Sequence, residues 1–124
     1  MDFIIGGAYQ GKLTYAVEKY GFKPDELFDL SSGFPEKAYD CFYHLEAMTR
    51  RAAEEGLPSD ELVKKLMPHI KNSVIVSREI GCGIVPMEPI ERLYRELHGS
   101  VLRELASEAD SVTRIFCGLP EVLK

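Results

Sequence analysis

The sequence predicts a three-layer α/β fold built on a small, mainly parallel sheet of about four strands. Two observations carry this. Short apolar or β-branched runs alternate with longer stretches whose apolar residues recur every three or four positions. Glycine and proline clusters punctuate the junctions between the two kinds of segment, as short connections in a compact unit require. With 124 residues, 45% of them hydrophobic and 28% charged, the chain has the size and composition of one globular domain.

The elements follow in order. Residues 2–6 form an apolar run that stops at Gly6-Gly7, the pattern of a buried strand entering a turn. Lys12 to Tyr20 suits a helix, and Gly21 is placed to end it. Pro24 precedes a second, weaker strand at 26–30, which runs into the turn cluster Ser31-Ser32-Gly33. Residues 36–55 read as a helix with Cys41, Leu45, Met48 and Ala52 on one face. Gly56-Leu57-Pro58 breaks it, Ser59 is a good N-cap, and a short helix should end near Pro68. Ser73 to Ser77 is a continuous β-branched strand of the kind covered on both faces. Gly81-Cys82-Gly83 then leads to a long helix at 89–108, opened by Pro89, with Ile90, Leu93, Tyr94, Leu97, Val101 and Leu105 as its buried stripe. Val112 to Cys117 is the last strand.

Charge and cysteine usage exclude several classes. Fifteen Lys and Arg against 20 Asp and Glu give a net charge of −5, so no basic surplus exists to neutralise a nucleic-acid backbone. No apolar run approaches the ~20 residues of a membrane span, and the first residues lack a secretory signal pattern, so a cytoplasmic protein is expected. Cys41, Cys82 and Cys117 are widely spaced and read as buried, reduced thiols rather than a disulfide framework or zinc knuckle.

Gly6-Gly7-Ala8-Tyr9-Gln10-Gly11-Lys12-Leu13-Thr14, between the first strand and first helix, carries the chemistry. Gly6, Gly11 and Lys12 match three of the four fixed positions of G-x-x-x-x-G-K-[ST]. Glycines let successive backbone N–H groups turn toward phosphate oxygens, and the helix start adds its unpaired amides. Lys12 would reach the β- and γ-phosphates of GTP or ATP. The fold is thus predicted to be P-loop NTPase-like; the plain alternative is a glycine-rich turn with a surface lysine. Leu13 occupies the position where a hydroxyl ordinarily ligates Mg²⁺, and Thr14, one step on, is rotated by about 100°.

Weaker candidates flank this loop. Asp29 ends the second strand, either as a metal-orienting carboxylate or as the start of the following turn. Glu79 follows the 73–77 strand at the edge where open α/β sheets bind ligands, or is a plain loop carboxylate. Arg50 and Arg51 read as a solvated helix face before an anion contact. His44, His69 and His98 show no metal-ligand spacing and read as surface or partly packed.

Val74-Ile75-Val76-Ser77-Arg78-Glu79-Ile80-Gly81-Cys82-Gly83-Ile84-Val85-Pro86 resembles a motif of the adenosylcobinamide kinase/adenosylcobinamide-phosphate guanylyltransferase family, roughly V-x-V-[ST]-N-E-V-G-x-G-I-V-P. The likeness continues through Leu93 to Gly99, Ala106 to Asp110 and Cys117 to Pro120, and Gly6-Gly7-Ala8 with Gly11-Lys12 is similar to the family loop T-G-G-A-R-S-G-K-S. The resemblance implies a P-loop enzyme that phosphorylates the aminopropanol hydroxyl of adenosylcobinamide from GTP or ATP with Mg²⁺, then attaches GMP through a histidine, and assembles as a homotrimer. Family members are longer, and the residues absent here fall between the second and third predicted strands. Glu46 to Glu54 is the nearest echo of the family's E-M-A-x-R-I-x-x-H helix and contains no histidine. Leu13 and Gln10 stand in place of family serines, and Arg78 in place of an asparagine. A kinase-like phosphotransferase is therefore expected, with a non-catalytic nucleotide- or corrinoid-binding module as the alternative.

Overall fold

A computed structural model gives the fold and describes residues 1–7, 11–80 and 88–124. Six strands form one sheet in the order β2-β3-β4-β1-β5-β6. They are β1 (Asp2–Gly6), β2 (Leu27–Asp29), β3 (Cys41–Tyr43), β4 (Val74–Arg78), β5 (Ser111–Phe116) and β6 (Leu119–Val122). The helices are α1 (Lys12–Tyr20), α2 (Leu45–Glu55), α3 (Ser59–Ile70) and α4 (Pro89–Glu108). Every strand pair is parallel except β5–β6.

Alternation along β1 divides the core. Phe3 packs with Phe42, Ile75, Val112 and the apolar faces of α2, α3 and α4. Ile4 points the other way, into a smaller cluster with Ala16, Val74, Val76 and Ile115 beneath α1. The sheet is thus covered on both faces, which explains the unbroken apolar run of β4. The expected three-layer architecture is present, with six strands rather than about four.

Both extra strands are short and lack a periodic signal. The spacing of Cys41 four residues before Leu45 predicts a helix over Cys41–Tyr43; the segment is instead a three-residue strand whose Cys41 and Phe42 are fully buried. Helix α2 therefore begins only at Leu45, although Leu45, Met48 and Ala52 do share its buried face. β6 follows a two-residue hairpin in which Cys117 (φ 52°) and Gly118 (φ 77°) both take positive φ. Pro120 is tolerated because β6 is an edge strand.

Smaller differences have equally local causes. α3 runs through Pro68 to Ile70, because fully buried Ile70 holds the last turn on the core. Its N-cap is Pro58, not Ser59. Leu93, expected in the buried stripe of α4, is 45% exposed. Cys41 is buried as expected, but Cys117 is exposed at the hairpin tip, and Cys82 lies outside the described residues. Among the described residues no helix is long and apolar enough to cross a membrane.

Candidate functional site at the carboxyl edge of the sheet

The carboxyl ends of β3 and β4 and the first turns of α1 and α2 converge on one cavity of about 320 Å³. Lys12, Leu13, Tyr43, His44, Glu46, Val76 and Arg78 line it. This is the edge where open parallel sheets place their ligands.

Two glycines of the predicted loop are fixed by geometry. Gly6 ends β1 opposite Ile115, and a Cβ built there would lie 2.7 Å from the Ile115 carbonyl oxygen. It would also lie 3.2 Å from Cγ and Cδ of Lys12, so the lysine stem crosses directly over the glycine. Gly11 is the N-cap of α1 in the left-handed region, φ 82°, where a side chain would be strained. Ala8, Tyr9 and Gln10 lie outside the described residues.

Lys12 Nζ donates to the Gly7 carbonyl at 2.8 Å. Burial lowers its pKa, Glu46 partly opposes that, and Arg78 adds to the lowering. A half-buried ammonium facing a second cation is short of negative charge. Leu13 packs on the α1-side cluster and presents an apolar surface to the cavity, while Thr14 is exposed and is not among its lining.

The two candidate carboxylates are engaged elsewhere. Asp29 Oδ1 accepts from the Ser31 backbone N–H and from His44 Nδ1, each at 2.9 Å. Burial works to raise its pKa, but these Ser31 and His44 contacts outweigh it and hold the carboxyl below the ordinary aspartate value. Glu79 accepts from Arg114 Nε at 3.2 Å, and its backbone N–H donates to Gly6 O at 2.7 Å, tying β4 to the end of β1. Glu46 is thus the one carboxylate in the described lining, and among the described residues no three His, Cys, Asp or Glu gather into a metal-binding group. With Leu13 apolar, these residues do not fit a protein-held Mg²⁺.

Sequence reasoning missed Tyr43, His44, Glu46 and Arg78 as cavity residues. His44, expected inside a helix, is instead the single left-handed residue (φ 62°, ψ 39°) between β3 and α2. Its position depends on β3, which is too short to leave a periodic signal. His98 is not surface or partly packed but fully buried. It bridges three elements: one ring nitrogen lies 2.7 Å from Thr49 Oγ1 on α2, and the other 2.7 Å from Arg78 O at the end of β4. Arg50 pairs with Glu54 and Glu91, and Arg51 donates to Ser31 O; both stay outside the cavity lining.

The fold and the cavity together define a three-layer α/β protein of the P-loop-like class. A family model described as cobinamide kinase / cobinamide phosphate guanyltransferase matches residues 41–123, from β3 into β6. The chain belongs to that family, whose activities use a nucleotide and a corrinoid in cobalamin biosynthesis. No curated protein matches the chain.

Proposed function

We propose that the chain is a kinase-like phosphotransferase that moves the terminal phosphoryl group of GTP or ATP to a corrinoid alcohol, the hydroxyl of adenosylcobinamide by family resemblance. One observation carries this reading: among the described residues that line a cavity at the heads of α1 and α2, two are cations, Lys12 and Arg78, and one is a carboxylate, Glu46. In a chain of net charge −5 this local positive excess calls for an anionic ligand. The helix starts add unpaired N–H groups on the same side.

In this reading residues 6–14 cradle the phosphates, and Lys12 leaves Gly7 O to offset charge developing on the transferred group. Arg78 supports the same oxygens from β4. None of these roles depends on a metal held by Asp29 or Glu79. Guanylyl transfer is left out, because the helix echoing the family's histidine segment has none. A cytoplasmic homotrimer belongs to this reading through the resemblance alone.

Incubation with nucleotide labelled in the terminal phosphate, Mg²⁺ and adenosylcobinamide tests it. Labelled corrinoid should form and should vanish in Lys12→Ala. No product above that control overturns the reading. Leu13 favours a second reading, a binding module without turnover, since an apolar wall replaces the hydroxyl that would hold a cation. That module would bind nucleotide equally with Mg²⁺ and with EDTA, and would release no labelled product.

A further inference from the structure

Phosphoryl transfer to an alcohol leaves a proton to be placed, and the cavity contains an imidazole arranged to take it. We propose that His44 is the general base that accepts the proton of the acceptor hydroxyl, with Asp29 as the residue that positions it; this rests on the kinase-like reading above.

The placement begins with the backbone. β2 and β3 run parallel with Asp29 opposite Tyr43, so their carboxyl ends deliver Asp29 and His44 side by side. The chain then passes from β3 into α2 through His44 alone, in the left-handed region that non-glycine residues seldom occupy. That sharp strand-to-helix turn lifts the ring above the sheet edge, where it lines the same cavity as Lys12 and Arg78.

The ring is held on two sides. Asp29 Oδ1 lies 2.9 Å from Nδ1, and the same oxygen is fixed by the Ser31 N–H. The Tyr43 ring meets the imidazole edge-on, with centroids 4.7 Å apart. The Asp29 carboxyl, held below its ordinary value, accepts, so Nδ1 is the donor and in the neutral ring Nε2 is the nitrogen that can take a proton. Among the described residues Nε2 makes no hydrogen bond. A base oriented by a buried or half-buried carboxylate is the recurring arrangement for proton abstraction from a hydroxyl.

The other candidates are worse placed. Both nitrogens of His98 are already engaged, by Thr49 and by Arg78 O. Glu46 lines the cavity beside Lys12, whose charge it partly offsets, and its Oε2 already accepts from the Arg78 backbone N–H at 3.5 Å. In the step itself the acceptor oxygen forms its bond to the terminal phosphorus as its proton passes to His44 Nε2. The bond from that phosphorus to the bridging oxygen breaks, and the nucleoside diphosphate leaves with the electron pair.

The test uses the full chain with nucleotide, Mg²⁺ and adenosylcobinamide. His44→Asn suits the left-handed backbone, so it should fold while removing the base. We expect kcat to fall on the order of a hundredfold or more, with nucleotide Kd within about twofold of wild type. His44→Gly should recover part of that kcat when imidazole is added, which a structural role would not produce. Wild-type kcat in His44→Asn, or loss of kcat in Glu46→Gln alone, overturns the assignment. So does a phosphoryl or nucleotidyl adduct on His44 after incubation with nucleotide only, which would make it a nucleophile. A wild-type protein that transfers nothing fails the kinase-like reading itself, a different result from an active wild type with an active His44→Asn.

Discussion

Replacing Gly6 with alanine separates close packing from backbone preference. Glycine inside a strand costs about 0.5–1 kcal/mol relative to alanine, so propensity alone would make Gly6→Ala stabilising. The structure reverses that sign. The new methyl would lie 2.7 Å from the Ile115 carbonyl oxygen, several tenths of an ångström inside a normal contact, and that oxygen belongs to the neighbouring central strand. Neither partner can yield cheaply, since Gly6 O is also held by the Glu79 N–H at 2.7 Å. Overpacking of this kind costs about 1–3 kcal/mol, leaving a net loss centred on about 1 kcal/mol. For a chain of this size that is a fall in Tm of roughly 4–8 °C. The Lys12 stem, 3.2 Å from the added carbon, must also move, so nucleotide affinity should weaken by about tenfold. Thermal melts by circular dichroism and calorimetric titration with GTP and ATP measure both. Gly11→Ala is the control, because among the described residues nothing lies within 4 Å of its added carbon, and its left-handed backbone is what strains. A Gly6→Ala protein as stable as wild type, with unchanged affinity, would falsify the close approach of β1, β5 and Lys12.

Two further outcomes are expected. Burial lowers the pKa of His98 against the opposing influence of Arg78 O and Glu46, with the Arg78 charge adding to the lowering, so the unfolded chain binds this proton first. Stability should hold at neutral pH, fall as pH drops below about 6.5 toward the lower folded value, and lose that slope in His98→Gln; urea midpoints between pH 7.5 and 5.5 check it, and an equal slope in the variant refutes it. Leu13→Ser removes a partly buried side chain from the α1-side cluster and should lower Tm by a few degrees, while adding a hydroxyl to the cavity wall. Nucleotide affinity should then gain a Mg²⁺ dependence of several-fold, read by titration with and without EDTA; a variant insensitive to Mg²⁺ would deny that Leu13 is where cation binding is weakened.

What the sequence made legible was what periodicity and glycine can encode. β1, α1, β4 and α4 are long enough for their patterns to repeat, and they stand where the patterns put them. β3 has three residues, too few for alternation, and its Cys41 happens to fall on the spacing of α2. That single misreading hid the site's second wall, because Tyr43, His44 and Glu46 are brought to the cavity by the β3-to-α2 turn. Lys12 was visible through a motif of local spacing. Arg78 and the Asp29–His44 pair were not, since they depend on which strands become neighbours.

That neighbour relation also explains how a divergent family member keeps its cavity. The match to the family runs over residues 41–123 and so includes β3, β4 and α4 but not the glycine loop. Yet the strand that leads into that loop is held from the matched part: the Glu79 N–H closes on Gly6 O, and β1 is gripped between β4 and β5 in register along its whole length. His98 performs the same service behind the opposite wall, anchoring Arg78 through its carbonyl and α2 through Thr49. Because these contacts use main-chain atoms or buried rings, the cavity's shape survives changes in its lining. Substitutions such as Leu13 and Arg78 can then alter what the cavity binds without dismantling the scaffold that forms it, so function in this chain must be read from the lining residues rather than from the fold.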